Sequence, residues 1–356
     1  MAPSRLKEFE KHLTGTEKQR FGEIYRTELI GHRQIIEENI LRDREHLRLV
    51  NFCVNPFLYR GILGVETGYL FVRAEPLFEL NIKHFDIAIY NKESKVMALI
   101  ECKSSVVEVS REIDHVSDAM KETLVNIEGL EDIVGDSIRT METVFCTNSA
   151  YGNRVGEHIK GKDLGICLWI ADQGTNKLVL QPQSQDTDEE VRKGRLHGDG
   201  KLTRLLVGGV ESTGVRPLPF LPSSHPCTLL QELIPLLDLK LKTDSLDRFG
   251  QSDLHTLLKG SLLNIADEEL LELSDLIVRN GLDAEIFHDS KPWENSMKDK
   301  EFEITVRRGT VRAMVEDIRE KYIESNCADK AEKSSVEKFK LGGLRETKSL
   351  EEFGMK

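Results

Sequence analysis

The sequence predicts an α/β protein in which helices flank a mixed β-sheet, followed by a mostly helical region. Two apolar runs, 85–90 and 96–105, flank a polar break at 91–95, a pattern typical of an antiparallel hairpin. Apolar residues at helical spacing precede and follow this hairpin, and further short apolar runs alternate with helical segments. This alternation favours a single sheet that is covered by helices on both faces.

The order of elements along the chain is predicted in more detail. A long helix is expected from Glu17 toward Leu49, with Thr16 as its capping residue. A second helix is expected from Val109 to Ile127, because apolar residues recur there at helical spacing. Beyond it we expect a strand at 142–147, a helix that ends near residue 160, and strands at 165–172 and 177–180.

The length of 356 residues predicts two domains. We assign residues 1–216 to the α/β domain and 217–226, which contains four prolines, to a linker. Residues 227–327 carry leucines at helical spacing and are assigned to a helical accessory domain. Residues 328–356 are of mixed charge and are expected to form a disordered tail.

Composition limits the classes of function. The formal net charge of −12 is unusual for a nucleic-acid-binding protein, although it permits a local basic cleft. The six cysteines are scattered without a C-x-x-C pair, which favours reduced thiols in a cytoplasmic protein. No apolar run approaches the roughly 18 residues that a membrane span requires, so no membrane association is expected.

Three charged residues of the hairpin carry the prediction of chemistry. Asp86 lies in the first strand, and Glu101 and Lys103 lie at the end of the second strand on one face. Burying such groups is costly unless they pair with each other or with a cation. Two carboxylates are suitable ligands for Mg²⁺, and a neighbouring lysine is suited to orient a water or stabilise a phosphoryl transition state. The alternative is a salt bridge between Lys103 and either carboxylate.

Asp86 followed by Glu101-Cys102-Lys103 after a short hairpin resembles the signature of the PD-(D/E)xK nuclease superfamily, which includes restriction-endonuclease-like enzymes. The proline of that signature is absent, because Phe85 precedes Asp86. The resemblance covers roughly half of the chain and implies an αβββαβ core. It also implies that Asp86 and Glu101 bind the metal ion and that Lys103 activates or orients the attacking water.

Two regions near the α/β core are candidate DNA contacts. The turn after the strand at 142–147 opens a helix, and small and polar residues there are placed to meet a phosphate. Capping of that helix by Asn148 or Ser149 is the alternative reading. The glycine-spaced basic segment within 181–204 would lie against phosphates, or else form an exposed loop. The residues concerned are Tyr151, Arg154, Arg192, Lys193 and Arg195.

The helical region offers a third set of candidate contacts. Arg307, Arg308 and Arg312 lie at the start of a predicted helix that follows a short strand at 302–306. A small helical or winged-helix DNA-binding domain would account for these arginines. An oligomerisation module would account equally well for the leucines of the region.

Together these patterns predict a Mg²⁺-dependent DNA endonuclease, for which a type II restriction enzyme is one form. Cleavage of both strands favours a homodimer. A repair or recombination nuclease that recognises DNA structure is the first alternative. A DNA-binding protein that keeps the fold without catalysis is the second.

Overall fold

The computed structural model describes residues 9, 11–80, 85–162, 166–181, 200–212, 216–261, 267–292, 294, 296, 300–306 and 309–352. The helices of the α/β part are α1 (Gly15–Val54), α2 (Ile62–Thr67), α3 (Val109–Val125), α4 (Ile127–Val134), α5 (Ser149–Lys162) and α6 (Gly200–Gly208). The later helices are α7 (Pro226–Thr243), α8 (Gln251–Ser261), α9 (Asp267–Asp283) and α10 (Val311–Glu352). Short 3-10 turns occupy Asn55–Phe57 and Phe78–Leu80.

A mixed seven-stranded sheet forms the centre of the α/β part, which confirms the prediction of an α/β protein with a mixed sheet and a C-terminal helical region. The strands follow the chain order across the sheet, and the two pairings within β3–β4–β5 are parallel while the remaining pairings are antiparallel. The strands are β1 (Tyr69–Ala74), β2 (Ile87–Asn91), β3 (Val96–Lys103), β4 (Thr140–Asn148), β5 (Ile166–Asp172), β6 (Lys177–Leu180) and β7 (Val210–Glu211). A separate hairpin consists of β8 (Phe287–Asp289) and β9 (Phe302–Ile304).

The predicted hairpin is confirmed as the antiparallel pair β2 and β3. Ile87 is opposite Ile100, and Asn91 is opposite Val96. The Asn91 side chain accepts hydrogen bonds from the backbone N–H groups of Glu93 and Ser94, at 2.9 and 3.1 Å, which stabilise the turn. Asp86 precedes the first residue of β2, and this register therefore places it beside Glu101 at the same end of the hairpin.

Helices cover both faces of the sheet, because β3 alternates its side chains between two apolar clusters. Ile100 and Cys102 point into the cluster that contains the last turns of α1. Met97 and Leu99 point into the cluster that contains α3 and α5. Glu101 and Lys103 continue the alternate positions of Met97 and Leu99 along β3. Their side chains therefore lie on the face of the sheet that α3 covers.

The start of α1 differs from the prediction. The helix begins at Gly15, and the backbone N–H and hydroxyl of Thr14 both bond to the Glu17 carboxylate, at 2.8 and 2.6 Å. Thr14 therefore occupies the capping position that was predicted for Thr16.

The described chain forms two compact units that are not consecutive in sequence. The first unit contains 42–228 and 254–274, and the second unit contains 1–41, 229–253 and 275–356. This division differs from the predicted consecutive domains 1–216 and 227–327. The boundaries between the two units fall inside helices α1, α7, α8 and α9. A sequence pattern that assigns consecutive segments to separate domains therefore does not locate these boundaries.

The segment predicted as a linker packs into the core of the first unit. Leu218, Phe220 and Leu221 are almost completely buried. The Asn51 side chain both donates to the carbonyl oxygen of Leu218, at 2.8 Å, and accepts from its backbone N–H, at 2.9 Å. Prolines at 217–226 therefore shape an ordered connection, because proline restricts the backbone without requiring exposure to solvent.

The region predicted as a disordered tail is helical through Glu352. Within the second unit, α10 runs antiparallel to the first part of α1, with Arg33 bonded to Glu320 at 2.7 Å and Lys338 to Glu28 at 2.5 Å. Mixed charge here supplies ion pairs between helices and does not indicate disorder. Across the described part of the chain, no helix has an apolar stretch that would cross a membrane.

A buried ion pair anchors α9 to the sheet within the first unit. Arg73 on β1 contacts both carboxylate oxygens of Glu269, at 2.7 and 2.5 Å, and both side chains are more than nine-tenths buried. We expect Arg73→Met to lower the free energy of unfolding by about 3–5 kcal/mol, because it leaves a buried carboxylate without its partner. Urea denaturation measures this loss.

The double variant Arg73→Met/Glu269→Leu should recover most of that stability, since it removes both charges. Lys121→Ala, at an exposed ion pair of the same unit, is the control and should change stability by less than about 0.5 kcal/mol. A double variant as unstable as the single variant would contradict the interpretation.

Candidate active site

The structure brings Asp86, Glu101 and Lys103 together at one end of the β2–β3 hairpin. The Glu101 side chain is only 4% exposed, and its Oε1 lies 2.6 Å from the Lys103 ammonium. Asp86 is also buried, and Lys103 is a quarter exposed. Three charged groups therefore lie at the boundary between the apolar core and solvent.

Asp86 is held by two neighbours. Its Oδ1 lies 3.0 Å from Nε2 of His46 on α1, and its Oδ2 accepts a hydrogen bond from the backbone N–H of Cys102, at 2.6 Å. Burial alone would raise the pKa of Asp86, but His46, Lys103 and the Cys102 N–H together lower it. Asp86 is therefore a carboxylate at neutral pH, in a fixed orientation.

Glu101 is the least satisfied group of the site. Its Oε2 is buried and has no hydrogen-bond partner among the described residues. Burial and the nearby Asp86 carboxylate raise the pKa of Glu101 to about 7, although Lys103 and His46 favour its charged form. The site thus contains a buried oxygen that lacks compensation from protein, which native structures rarely leave unexplained.

Lys103 is fixed as an ammonium. Burial opposes its charge, but the carboxylates of Glu101 and Asp86 raise the pKa of Lys103 above its ordinary value. Glu112 on α3 contributes in the same direction, with its Oε2 3.9 Å from Nζ. Lys103 is therefore suited to donate hydrogen bonds and not to abstract a proton.

Three residues at the site were not predicted from the sequence. His46 comes from α1, and Glu112 and His115 lie one turn apart on α3. Nε2 of His115 lies 3.9 Å from Oε1 of Glu101. The signal that could have identified the α3 pair is the i, i+3 spacing of two polar side chains beside an apolar stripe. His46 lies 40 residues before its partner Asp86, and no local pattern connects them.

The donor set fits a hard divalent cation. Asp86 and Glu101 supply carboxylate oxygens, which are the ligands that Mg²⁺ prefers. The unpartnered Oε2 of Glu101 is the atom that such an ion would satisfy. Lys103 and His46 balance part of the negative charge, so the site carries less net charge than its carboxylates alone would give.

The predicted DNA contacts at the start of α5 have partners within the protein. Arg154 is exposed, lies 5.7 Å above the Tyr151 ring and donates to the carbonyl of Val106 in the loop after β3. The Asn148 side chain donates to the carbonyl of Ser104, at 2.7 Å. These bonds fix the loop that follows Lys103, so Arg154 and Asn148 have a structural role that the sequence did not reveal.

The basic residues predicted elsewhere are only partly described. Arg192, Lys193 and Arg195, and likewise Arg307 and Arg308, lie outside the described residues. Arg312 lies in the first turn of α10, is 89% exposed and contacts Glu316 at 3.1 Å. The end of the predicted basic loop is helical, since Gly200–Gly208 forms α6.

Comparisons with known proteins find sequence similarity to an archaeal protein. No family model matches the chain, and no solved structure matches it. An Archaeoglobus fulgidus protein described as uncharacterized is 20% identical over an alignment of 353 positions, which covers 90% of this chain and 91% of that protein. Similarity at this level extends over nearly the whole length of both chains, so it concerns both units.

The His46–Asp86 pair predicts how stability depends on pH in the presence of EDTA. Burial would lower the pKa of His46, but the Asp86 carboxylate raises it from 6.5 to about 9. The stabilisation by this pair is therefore complete below pH 6.5 and is lost as the pH rises through about 9. We expect the free energy of unfolding to fall by on the order of 3 kcal/mol across this range.

Denaturant unfolding at a series of pH values measures this fall, with His46→Gln as the variant that lacks it. The exposed His12 provides the matched control, because His12→Gln leaves the His46–Asp86 pair intact and should retain the wild-type pH dependence. A His46→Gln protein with the same loss of stability between pH 6.5 and 9 would contradict the assignment.

Proposed function

We propose that the protein is a Mg²⁺-dependent endonuclease that hydrolyses phosphodiester bonds in DNA. The observation that carries the proposal is the buried Glu101 carboxylate, whose Oε2 has no partner among the described residues, beside Asp86 and Lys103. A salt bridge with Lys103 accounts for Oε1 only. A bound cation would account for the remaining oxygen, Oε2 of Glu101.

The order of elements supports a restriction-endonuclease-like form of the fold. Helix α1 precedes three antiparallel strands, and α3, β4, α5 and β5 follow in the order expected for the αβββαβ core. Glu101 and Lys103 lie at the end of β3, and Asp86, directly before β2, lies beside them. Because one fold can serve many functions, the proposal depends on the side chains and not on the fold.

Each residue has a separate role in the proposed reaction. Asp86 and Glu101 would hold the ion, and Mg²⁺ when bound would lower the pKa of a water and neutralise charge on the phosphate. The Lys103 ammonium would orient the attacking water and donate to the phosphate oxygen that gains negative charge. The Cys102 N–H keeps the Asp86 carboxylate oriented toward this position.

The first test is DNA cleavage by variants of the site. We expect Asp86→Asn and Lys103→Ala to reduce Mg²⁺-dependent nicking or linearisation of a supercoiled plasmid by about 100-fold or more, since they remove an ion ligand and a transition-state donor. Lys121→Ala, an exposed lysine on α3, is the matched control and should cut like the wild type.

Binding of the ion is measured on the same proteins to separate loss of chemistry from loss of folding. Mg²⁺ should raise the melting temperature of the wild type and of Lys103→Ala but not that of Asp86→Asn. Full cleavage by Lys103→Ala would overturn the mechanism. Absence of any Mg²⁺-dependent cleavage by the wild type, with DNA binding retained, would favour a non-catalytic DNA-binding protein.

The second test concerns the contribution of the helical unit to DNA affinity. If Arg312 contacts a phosphate, Arg312→Glu should weaken binding to all sequences about equally and lower the log–log salt slope by about 0.9. Arg319→Glu, which alters another arginine of α10, is the comparison. If the unit forms a homodimer interface, light scattering should detect a dimer and the salt slope should not change.

A further inference from the structure

Three cysteines from three separate elements converge in the core of the first unit. Cys53 comes from α1, Cys102 from β3 and Cys146 from β4. The Sγ atoms of Cys53 and Cys146 are 3.1 Å apart, those of Cys53 and Cys102 are 3.8 Å apart, and all three lie within 4.8 Å of one another. We refer to these residues as the thiol triad.

The arrangement is fixed by the surrounding structure. Cys102 and Cys146 are register partners on adjacent parallel strands, so their side chains lie side by side on one face of the sheet. Cys53 covers them from the last turns of α1, and all three residues are completely buried in the apolar cluster on that face. All three sulfur atoms are therefore positioned by regular secondary structure and not by a loop.

We propose that the thiol triad binds one soft, thiophilic d10 cation, of the type represented by Cu⁺. Three sulfurs that each lie about 2.3 Å from a central ion are roughly 4 Å from one another. The separation of 3.8 Å between Cys53 and Cys102 matches this value, whereas the sulfurs of Cys53 and Cys146, at 3.1 Å, would move apart by about 1 Å on binding. Thiolate ligands select soft ions, whereas Mg²⁺ prefers oxygen. The triad and the carboxylate site therefore bind different classes of cation.

The number of ligands favours a monovalent ion. Zn²⁺ in structural sites takes four protein ligands, and the triad supplies three among the described residues. Cu⁺ is stable with two or three sulfur ligands, so three cysteines complete its coordination. Coordination requires no transfer of electrons, because thiols release protons to solvent as the ion binds.

Binding at the triad would act on the strand that carries the carboxylate site. Cys102 lies between Glu101 and Lys103, and its backbone N–H holds Asp86. An ion shared by Cys53, Cys102 and Cys146 would join α1, β3 and β4 behind that site. The proposal itself does not depend on nuclease activity, since the triad lies on the opposite face of β3 from Glu101.

The test is an anaerobic titration of the reduced, full-length protein with Cu⁺ held by a bicinchoninate chelator. We expect the wild type to withdraw one Cu⁺ per chain and to develop sulfur-to-copper charge-transfer absorption. Cys53→Ser, Cys102→Ser and Cys146→Ser should each lose this stoichiometric binding. Cys227→Ser changes a buried thiol outside the triad and should retain it.

X-ray absorption of the copper-loaded wild type keeps the test valid if the serine variants fold poorly. Only sulfur neighbours around copper are expected. Nitrogen or oxygen ligands, or a wild type that leaves all copper with the chelator, would overturn the proposal. A parallel titration with Zn²⁺ should give weaker binding, and tighter binding of Zn²⁺ would contradict the choice of a monovalent ion.

Discussion

The burial of two carboxylates at one end of the β2–β3 hairpin is the constraint on which the site depends. Asp86 and Glu101 are buried in a hairpin whose other buried residues are mostly apolar. Without partners, removing each of these charges from water would cost several kcal/mol. Lys103, His46 and the Cys102 N–H supply partners for three of the four carboxylate oxygens. The remaining oxygen, Oε2 of Glu101, is the reason to infer a cation at this position.

The fold brings the two carboxylates and their partners together from separate helices and strands. The register of β2 on β3 sets Asp86 beside Glu101, and α1 and α3 approach from opposite faces of the sheet with His46 and Glu112. Bonds from Asn148 and Arg154 then fix the loop that leaves Lys103. The side chains are therefore held by regular elements, which position groups more precisely than free loops do.

Local patterns were sufficient to predict part of this structure. The hairpin, strands β4, β5, β6 and β9, and helix α3 follow from the spacing of apolar residues over five to twenty positions. The proximity of Asp86, Glu101 and Lys103 follows from their places on the hairpin. His46 and His115 were missed because their proximity depends on helix packing. The C-terminal segment was misjudged for a similar reason, since Lys338 of α10 pairs with Glu28 of α1 in a region where mixed charge had indicated disorder.

The most direct measurement of the central claim is a crystal structure of the protein soaked in Mn²⁺, with anomalous scattering used to locate the ion. We predict a peak between the carboxylates of Asp86 and Glu101, with Oε2 of Glu101 among the ligands, and no such peak in Asp86→Asn crystals. A structure without a peak at this position, in which Oε2 of Glu101 is bonded to a protein donor, would contradict the claim.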